Sequence, residues 1–137
     1  MAQELEELRI AWLGLKARVE QLAAERQQYL EFFEQAAEAY VVTASDGRIV
    51  EANGAAVDVL QCRRGHLLGK PLAVFVALDR RLEFRGRLAA IARRAPAAEP
   101  GWRTVLASRG ERIEVRLTAR VIERPDGGIC WRLEPTQ

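Results

Sequence analysis

Side chains that could carry chemistry are sparse in this chain. His66 is the single histidine, and the two cysteines, Cys62 and Cys130, stand at no metal-ligand spacing from it. No serine, histidine and carboxylate set can be argued into a triad, and no glycine loop has phosphate-binding spacing. Glu51 and Asn53 could act as an acid and a positioning group. Asn53, however, also stands directly before a short apolar run, where its side-chain carbonyl would cap a helix. Two cysteines are too few to staple a secreted domain, so both read as reduced thiols. The residue types point to binding or interaction; no catalytic residue and no metal site is expected, and the chain is read as not an enzyme.

The elements that must position these residues fall into two parts. The chain has 137 residues, 49% hydrophobic and 29% charged, a composition that supports one packed soluble domain. Residues 1–38 carry eight acids and four bases, and the remainder eleven acids and seventeen bases. In the first part Leu5, Leu8, Trp12, Leu15, Val19, Leu22, Tyr29 and Phe33 recur in steps of three and four, broken only by Arg26. That spacing is a heptad seam, which predicts a coiled-coil dimerisation helix over residues 1–38. A helix of that length spans roughly 55 Å, more than a domain of the remaining size can cover. The seam therefore calls for a second chain, and a homodimer is the expected state. Arg26 at an a position would disfavour misregistered pairings, while Glu4 and Arg9 could pair between parallel helices. A helix folded back on the sheet is the alternative.

From residue 39 the period shortens to that of strands. A hairpin is predicted over 40–43 and 48–52, with Asp46-Gly47 supplying the positive φ angles of a tight turn. A short helix follows at 54–60, then a broken region to 76. A longer helix over 79–94 carries Leu82, Phe84, Leu88 and Ile91 on its apolar face, with Asp79 as its N-cap. Pro96 and Pro100 close it. Strands at 102–107, 112–122 and 128–133, separated by Ser108-Arg109-Gly110 and Pro125-Asp126-Gly127, complete the pattern. Two strands, several helices and three strands predict an α+β fold, a five-stranded antiparallel sheet with helices on one face.

Several segments in this order carry a resemblance. They are Tyr29-Leu30-Glu31-Phe32-Phe33-Glu34 leading into Ala39-Tyr40-Val41-Val42-Thr43; Asp46-Gly47-Arg48-Ile49-Val50-Glu51-Ala52-Asn53; Leu67-Leu68-Gly69-Lys70-Pro71-Leu72; and Gly128-Ile129-Cys130-Trp131-Arg132-Leu133. Across residues 29–136 the chain resembles the PAS family, bacterial sensory domains preceded by a coiled-coil helix, which places a PAS domain at 39–137. The resemblance implies a pocket between sheet and helices, for which Asn53, Leu60, Phe75, Phe84, Leu88, Trp102, Val115, Leu117 and Trp131 are candidates. The same side chains would equally fill an ordinary core.

The resemblance also bears on cofactors and partners. Haem-binding relatives use a histidine on the long helix, and residues 79–94 contain none. The flavin-binding branch carries a Gly-x-Asn-Cys-Arg-Phe-Leu-Gln signature, from which Gln61-Cys62-Arg63-Arg64 differs in neighbours and position. Neither haem nor flavin is expected, which leaves an unidentified small molecule as the ligand to look for. PAS domains often end in Asp-x-Thr; this chain has Glu134-Pro135-Thr136, which argues against a helix continuing directly into an effector. Output is then expected through a signalling partner protein, through the N-terminal coil, or through an effector domain that has been excised. No apolar run is long enough to cross a bilayer and no signal sequence opens the chain, so a cytoplasmic location without membrane contact is expected. The arginines are scattered over several elements without a base-reading motif, so nucleic acid is not expected as a partner. The functional expectation is a sensory or interaction module in signal transduction. The alternative is a ligandless dimerisation adaptor with a filled core.

Overall fold

A computed structural model describes residues 1–93, 100–123 and 127–136. Two compact units make up the chain, Met1–Phe33 and Glu34–Gln137, a division a few residues earlier than the 38/39 boundary expected from the change of period. The first unit is almost all of helix α1, Ala2–Gln35, none of whose residues is buried. Its seam side chains lie open: Leu5, Leu8, Trp12, Leu15, Val19 and Leu22 are each between 58% and 67% exposed. Within the helix, Gln21 donates to Glu25 and Gln27 to Glu31, each across one turn, and the Lys16 ammonium sits 5.2 Å from the centre of the Trp12 ring. Tyr29 and Phe33, one turn apart, stack at 6.1 Å.

The second unit contains the sheet. Strands β1 (Ala39–Thr43), β2 (Ile49–Ala52), β3 (Trp102–Ser108), β4 (Glu111–Val121) and β5 (Ile129–Pro135) lie in the order β2-β1-β5-β4-β3, every neighbour antiparallel. Helices α2 (Gly54–Leu60), α3 (Arg64–Leu67) and α4 (Arg81–Ala92), with 3₁₀ turns at Leu72–Phe75 and Leu78–Arg80, occupy the connection between β2 and β3. The register explains which face they cover. Val41 pairs with Trp131 and Ala119 also pairs with Trp131. Alternation then puts Ala39, Val41, Thr43, Val115, Leu117, Ala119, Ile129, Trp131 and Leu133 on one face, and all are buried. The opposite face carries Arg103, Arg116, Arg120 and Glu134, all exposed. A one-residue slip would exchange these two sets, so the core fixes the register.

Two turns show how local chemistry sets the hairpins. In the β1–β2 turn only Gly47 takes a positive φ, at 90°, so Asp46 does not share the left-handed conformation expected of it. Asp46 Oδ1 instead accepts from the Arg48 amide at 3.0 Å, and the Gly47 amide donates to Ala44 O at 2.9 Å, the arrangement of a turn closed by a single left-handed glycine. Both residues of a two-residue turn go left-handed between β3 and β4 instead, where Arg109 has φ 51° and Gly110 φ 80°.

The α4 region corrects the expected cap. Asp79 lies in a 3₁₀ turn, α4 starts at Arg81, and its N-cap residue Arg80 makes no side-chain capping bond. The Asp79 carboxylate faces Arg112 of β4, both oxygens 3.3 Å from its guanidinium nitrogens, and that pairing holds the carboxyl below its ordinary pKa. An arginine brought from across the fold has thus taken the acceptor that a cap would need. Leu82, expected on the apolar face, is 87% exposed, while Phe84 and Ile91 are buried and Leu88 is half-buried. Pro96 and Pro125-Asp126 lie outside the described residues.

Candidate functional site

The buried face of the sheet centres on Trp131. Its ring lies 5.3 Å from that of Phe84 on α4 and 6.1 Å, edge-on at 75°, from that of Trp102 on β3. The Trp131 indole donates to Thr43 Oγ1 at 2.9 Å, so an aromatic side chain of this size is buried with its polar atom satisfied. Leu60, Phe75, Val115 and Leu117 are buried around this cluster, and Leu88 packs on its rim. Leu88 also reaches the first hairpin: a Cβ added to Gly47 would come within 2.8 Å of Leu88 Cδ2. The structure therefore brings eight of the nine pocket candidates into one contiguous core beneath α4.

Two polar atoms in that core are unlike the rest. Trp102 Nε1 and Thr104 Oγ1 are buried without a hydrogen-bond partner, and both residues lie on the inner face of β3, two positions apart. Trp102 is 7% exposed and Thr104 2%. Leaving such a group unmet costs about 1–3 kcal/mol. The Arg87 guanidinium of α4 stands 4.7 Å from the centre of the Trp102 ring, on which it makes a cation–π contact.

The ninth candidate, Asn53, does something different. It is fully buried at the end of β2. Its Oδ1 accepts from the Ala56 amide, capping α2, and from the Tyr40 amide, each at 3.0 Å, and its Nδ2 donates to Glu38 O at 2.8 Å. One side chain thus ties the segment entering β1 to the start of α2.

The sequence reading missed the charged groups that hold the same segment. Arg64 of α3 donates to both Glu34 oxygens at 2.6 Å and, through Nε, to Ala52 O at 3.2 Å. Gly54 lies so close that a Cβ there would approach Glu34 O to 3.2 Å. Tyr40 Oη donates to Glu38 Oε2 at 2.6 Å, and Arg132 of β5 reaches the same carboxylate at 3.5 Å. The Tyr40 hydrogen bond, with Arg132 beside it, holds the Glu38 carboxyl below its ordinary pKa; the same bond to Glu38 raises that of Tyr40. On the outer face burial pushes the Cys130 thiol up, which makes it a poor nucleophile. A groove of about 420 Å³, lined by Ala39, Val59, Leu133, Glu38 and Arg132 among others, lies where β1 and β5 meet α2 and shares no residue with the pocket candidates. Among the described residues no group of three or more His, Cys, Asp or Glu is placed to hold a metal ion.

With sheet order, helix placement and the Asn53 anchor established, the family is decided by its sequence match: the family described as PAS fold matches residues 27–136. This chain belongs to the PAS family. Solved PAS domains share its architecture. That of an HTR-like protein from Haloarcula marismortui is 15% identical with TM-score 0.76, over 88% of this chain and 99% of that one. A domain of a sensory box sensor histidine kinase/response regulator from Geobacter sulfurreducens is 22% identical with TM-score 0.67, over 82% and 96%. The PAS domain of a LuxR-family transcriptional regulator from Burkholderia thailandensis, solved in complex with ethanol, is 20% identical with TM-score 0.62, over 78% and 96%. At these identities the likeness is one of fold. No curated protein matches the chain. The PAS match begins inside α1, so the last turns of that helix belong to the family pattern.

Proposed function

We propose that this PAS domain is a non-catalytic, cytoplasmic sensory and interaction module of bacterial signal transduction, which dimerises through α1 and binds a small molecule between the sheet and the helices. The observation that carries the dimer is the seam. Apolar side chains at heptad spacing run along a helix of 34 residues that buries none of them, and leaving a stripe of that length in water opposes the hydrophobic effect along the whole helix. A second copy supplies the same stripe in register. No helix among the described residues is long and apolar enough to cross a membrane.

The small-molecule part is supported by the two unmet polar atoms on β3 and by the ethanol held in the similar PAS domain. A ligand there would act on Trp102 and, through its ring contacts, on Trp131 and β5. β5 carries Arg132, which holds Glu38 in the segment that leads from α1 to β1. A ligand that prefers one arrangement of this segment shifts its population and passes the bias to the coil. The second reading is a ligandless adaptor, favoured by the mutual packing of Phe84, Trp131 and Trp102.

Native mass spectrometry of the purified chain, repeated after denaturation, tests both parts. A dimer with extra mass that is lost on denaturation supports the sensor. A dimer at bare polypeptide mass favours the adaptor, and a monomer overturns the proposed role of α1.

A further inference from the structure

We propose that the outward face of α4, with the turn before it, docks a helix of a partner protein whose apolar ridge is flanked by acidic side chains. This face is separate from the α1 seam and from the small-molecule reading. Leu78 is 77% exposed and Leu82 87%, more than any leucine of α1, the most open of which, Leu8, is 67% exposed. The Arg81 amide donates to Leu78 O and runs the turn into the helix, so the two leucines stand four residues apart on one face. Arg81 also fixes their presentation: its Nε donates to Val76 O at 3.0 Å and its Nη2 to Val74 O at 3.2 Å. The pair is held out on an anchored segment.

Gly86 follows one turn after Leu82, in the middle of α4. Glycine is the poorest helix former after proline, and nothing in the fold calls for it at this position: its φ is not positive, and an added Cβ would meet no atom within 4 Å. Its use lies outside the fold. Between Leu82 and Ala89 it leaves a notch in which a second helix can bring its own side chains close to the α4 backbone. Charge then selects the partner. Residues 78–93 carry five arginines and two carboxylates, and of the carboxylates Asp79 is already paired with Arg112. Arg80, Arg85 and Arg93 are exposed; they attract an acidic helix and repel a second α4. An anionic membrane would also meet the arginines, but it has no ridge to fill the notch and would bring its charge against exposed Glu83.

The test titrates the full chain, labelled with 15N, with a capped helical peptide of about 20 residues, leucines at three- and four-residue steps and glutamates and alanines elsewhere. Saturable shifts of the Leu82 and Gly86 amide resonances are expected, and the same peptide with lysine for glutamate should bind at least about 10-fold more weakly. Leu82→Gln should weaken the glutamate peptide about 10-fold or more, the effect of burying one leucine, and leave the oligomeric state unchanged. Gly86→Ala should raise the melting temperature, whereas Gly86→Gln should fold as stably as the parent and still lose affinity by blocking the notch. The proposal is overturned if no shift saturates, if the two peptides bind alike, if Gly86→Gln binds as the parent does, or if Gly86→Ala melts lower. Shifts confined to α1, or to Arg116 and Arg120 on the outer face of the sheet, would place the acidic helix elsewhere and equally overturn it. A change of oligomeric state in Leu82→Gln would make the face a contact between copies of this chain instead. Binding to phosphatidylglycerol vesicles that is lost in Leu82→Gln, without a peptide response, would give the face to a lipid surface. Pairing through α1 and retention of a small molecule are read separately, by native mass.

Discussion

Helix α1 and the inner face of the sheet are both built from apolar residues at regular spacing, yet one is open and the other closed. Leu8 and Leu15 are 67% and 65% exposed, whereas Leu117 and Leu133 are each 1% exposed. Composition does not separate them; what differs is the partner each period can find. Residues two apart on a strand share a face with those of the next strand, and four antiparallel neighbours bring α4 and α2 over the same side. Residues three and four apart on a lone 34-residue helix share only a stripe, which a domain of this size is too short to cover. The sheet buries its apolar face within the chain, and the helix does not.

Substitutions on the two sides can break this contrast. Trp131→Ala is the most severe: it removes the centre of the aromatic cluster and leaves Thr43 without its donor. A loss of about 3–5 kcal/mol is expected in denaturant unfolding. Next, Leu15→Asp on the seam should raise the dissociation constant of the proposed dimer roughly 100-fold, about 2.8 kcal/mol at 1.4 kcal/mol per tenfold, by sedimentation. The indole resonances of Trp102 and Trp131 should not move. If they did, the two regions would not be independent. Asn53→Ala should cost about 1–2 kcal/mol by loss of the α2 cap, seen as earlier thermal unfolding. The smallest effect belongs to Glu38, whose pKa is lowered in the folded state. Its contribution is present above the ordinary carboxylate pKa and is lost as pH falls through the depressed folded value. Glu38→Gln should therefore flatten the acid limb of the stability profile and change little at neutral pH.

Much of the architecture was legible from the residues. Strand and helix order, the Asn53 cap, the Arg109-Gly110 break and the long helix follow from short-range rules of period and turn chemistry. What was not legible depends on distant partners. Trp131 and Thr43 are 88 residues apart, Arg132 and Glu38 are 94, and Arg64 and Glu34 are 30. Each is an ordinary residue until the sheet order puts it beside the other. Asp79 shows the same limit from the opposite side: by sequence it is a good cap, and only the arrival of Arg112 explains why α4 begins without one. Thr104 carries no sequence signal either, since alternation marks it as inward-facing but cannot tell whether a partner awaits its hydroxyl.

The strand order has a consequence for how the protein is made. β5, the last of the five to leave the ribosome, occupies the centre of the sheet, between β1 and β4. Until it emerges, the β1–β2 and β3–β4 hairpins have no strand to join them, and Phe84 has no Trp131 to pack on. α1, by contrast, precedes every strand and carries its apolar stripe before any of them is made. During synthesis the nascent chain therefore displays the apolar stripe of α1 well before it owns a core, and the proposed pairing through that helix does not have to wait for the sheet.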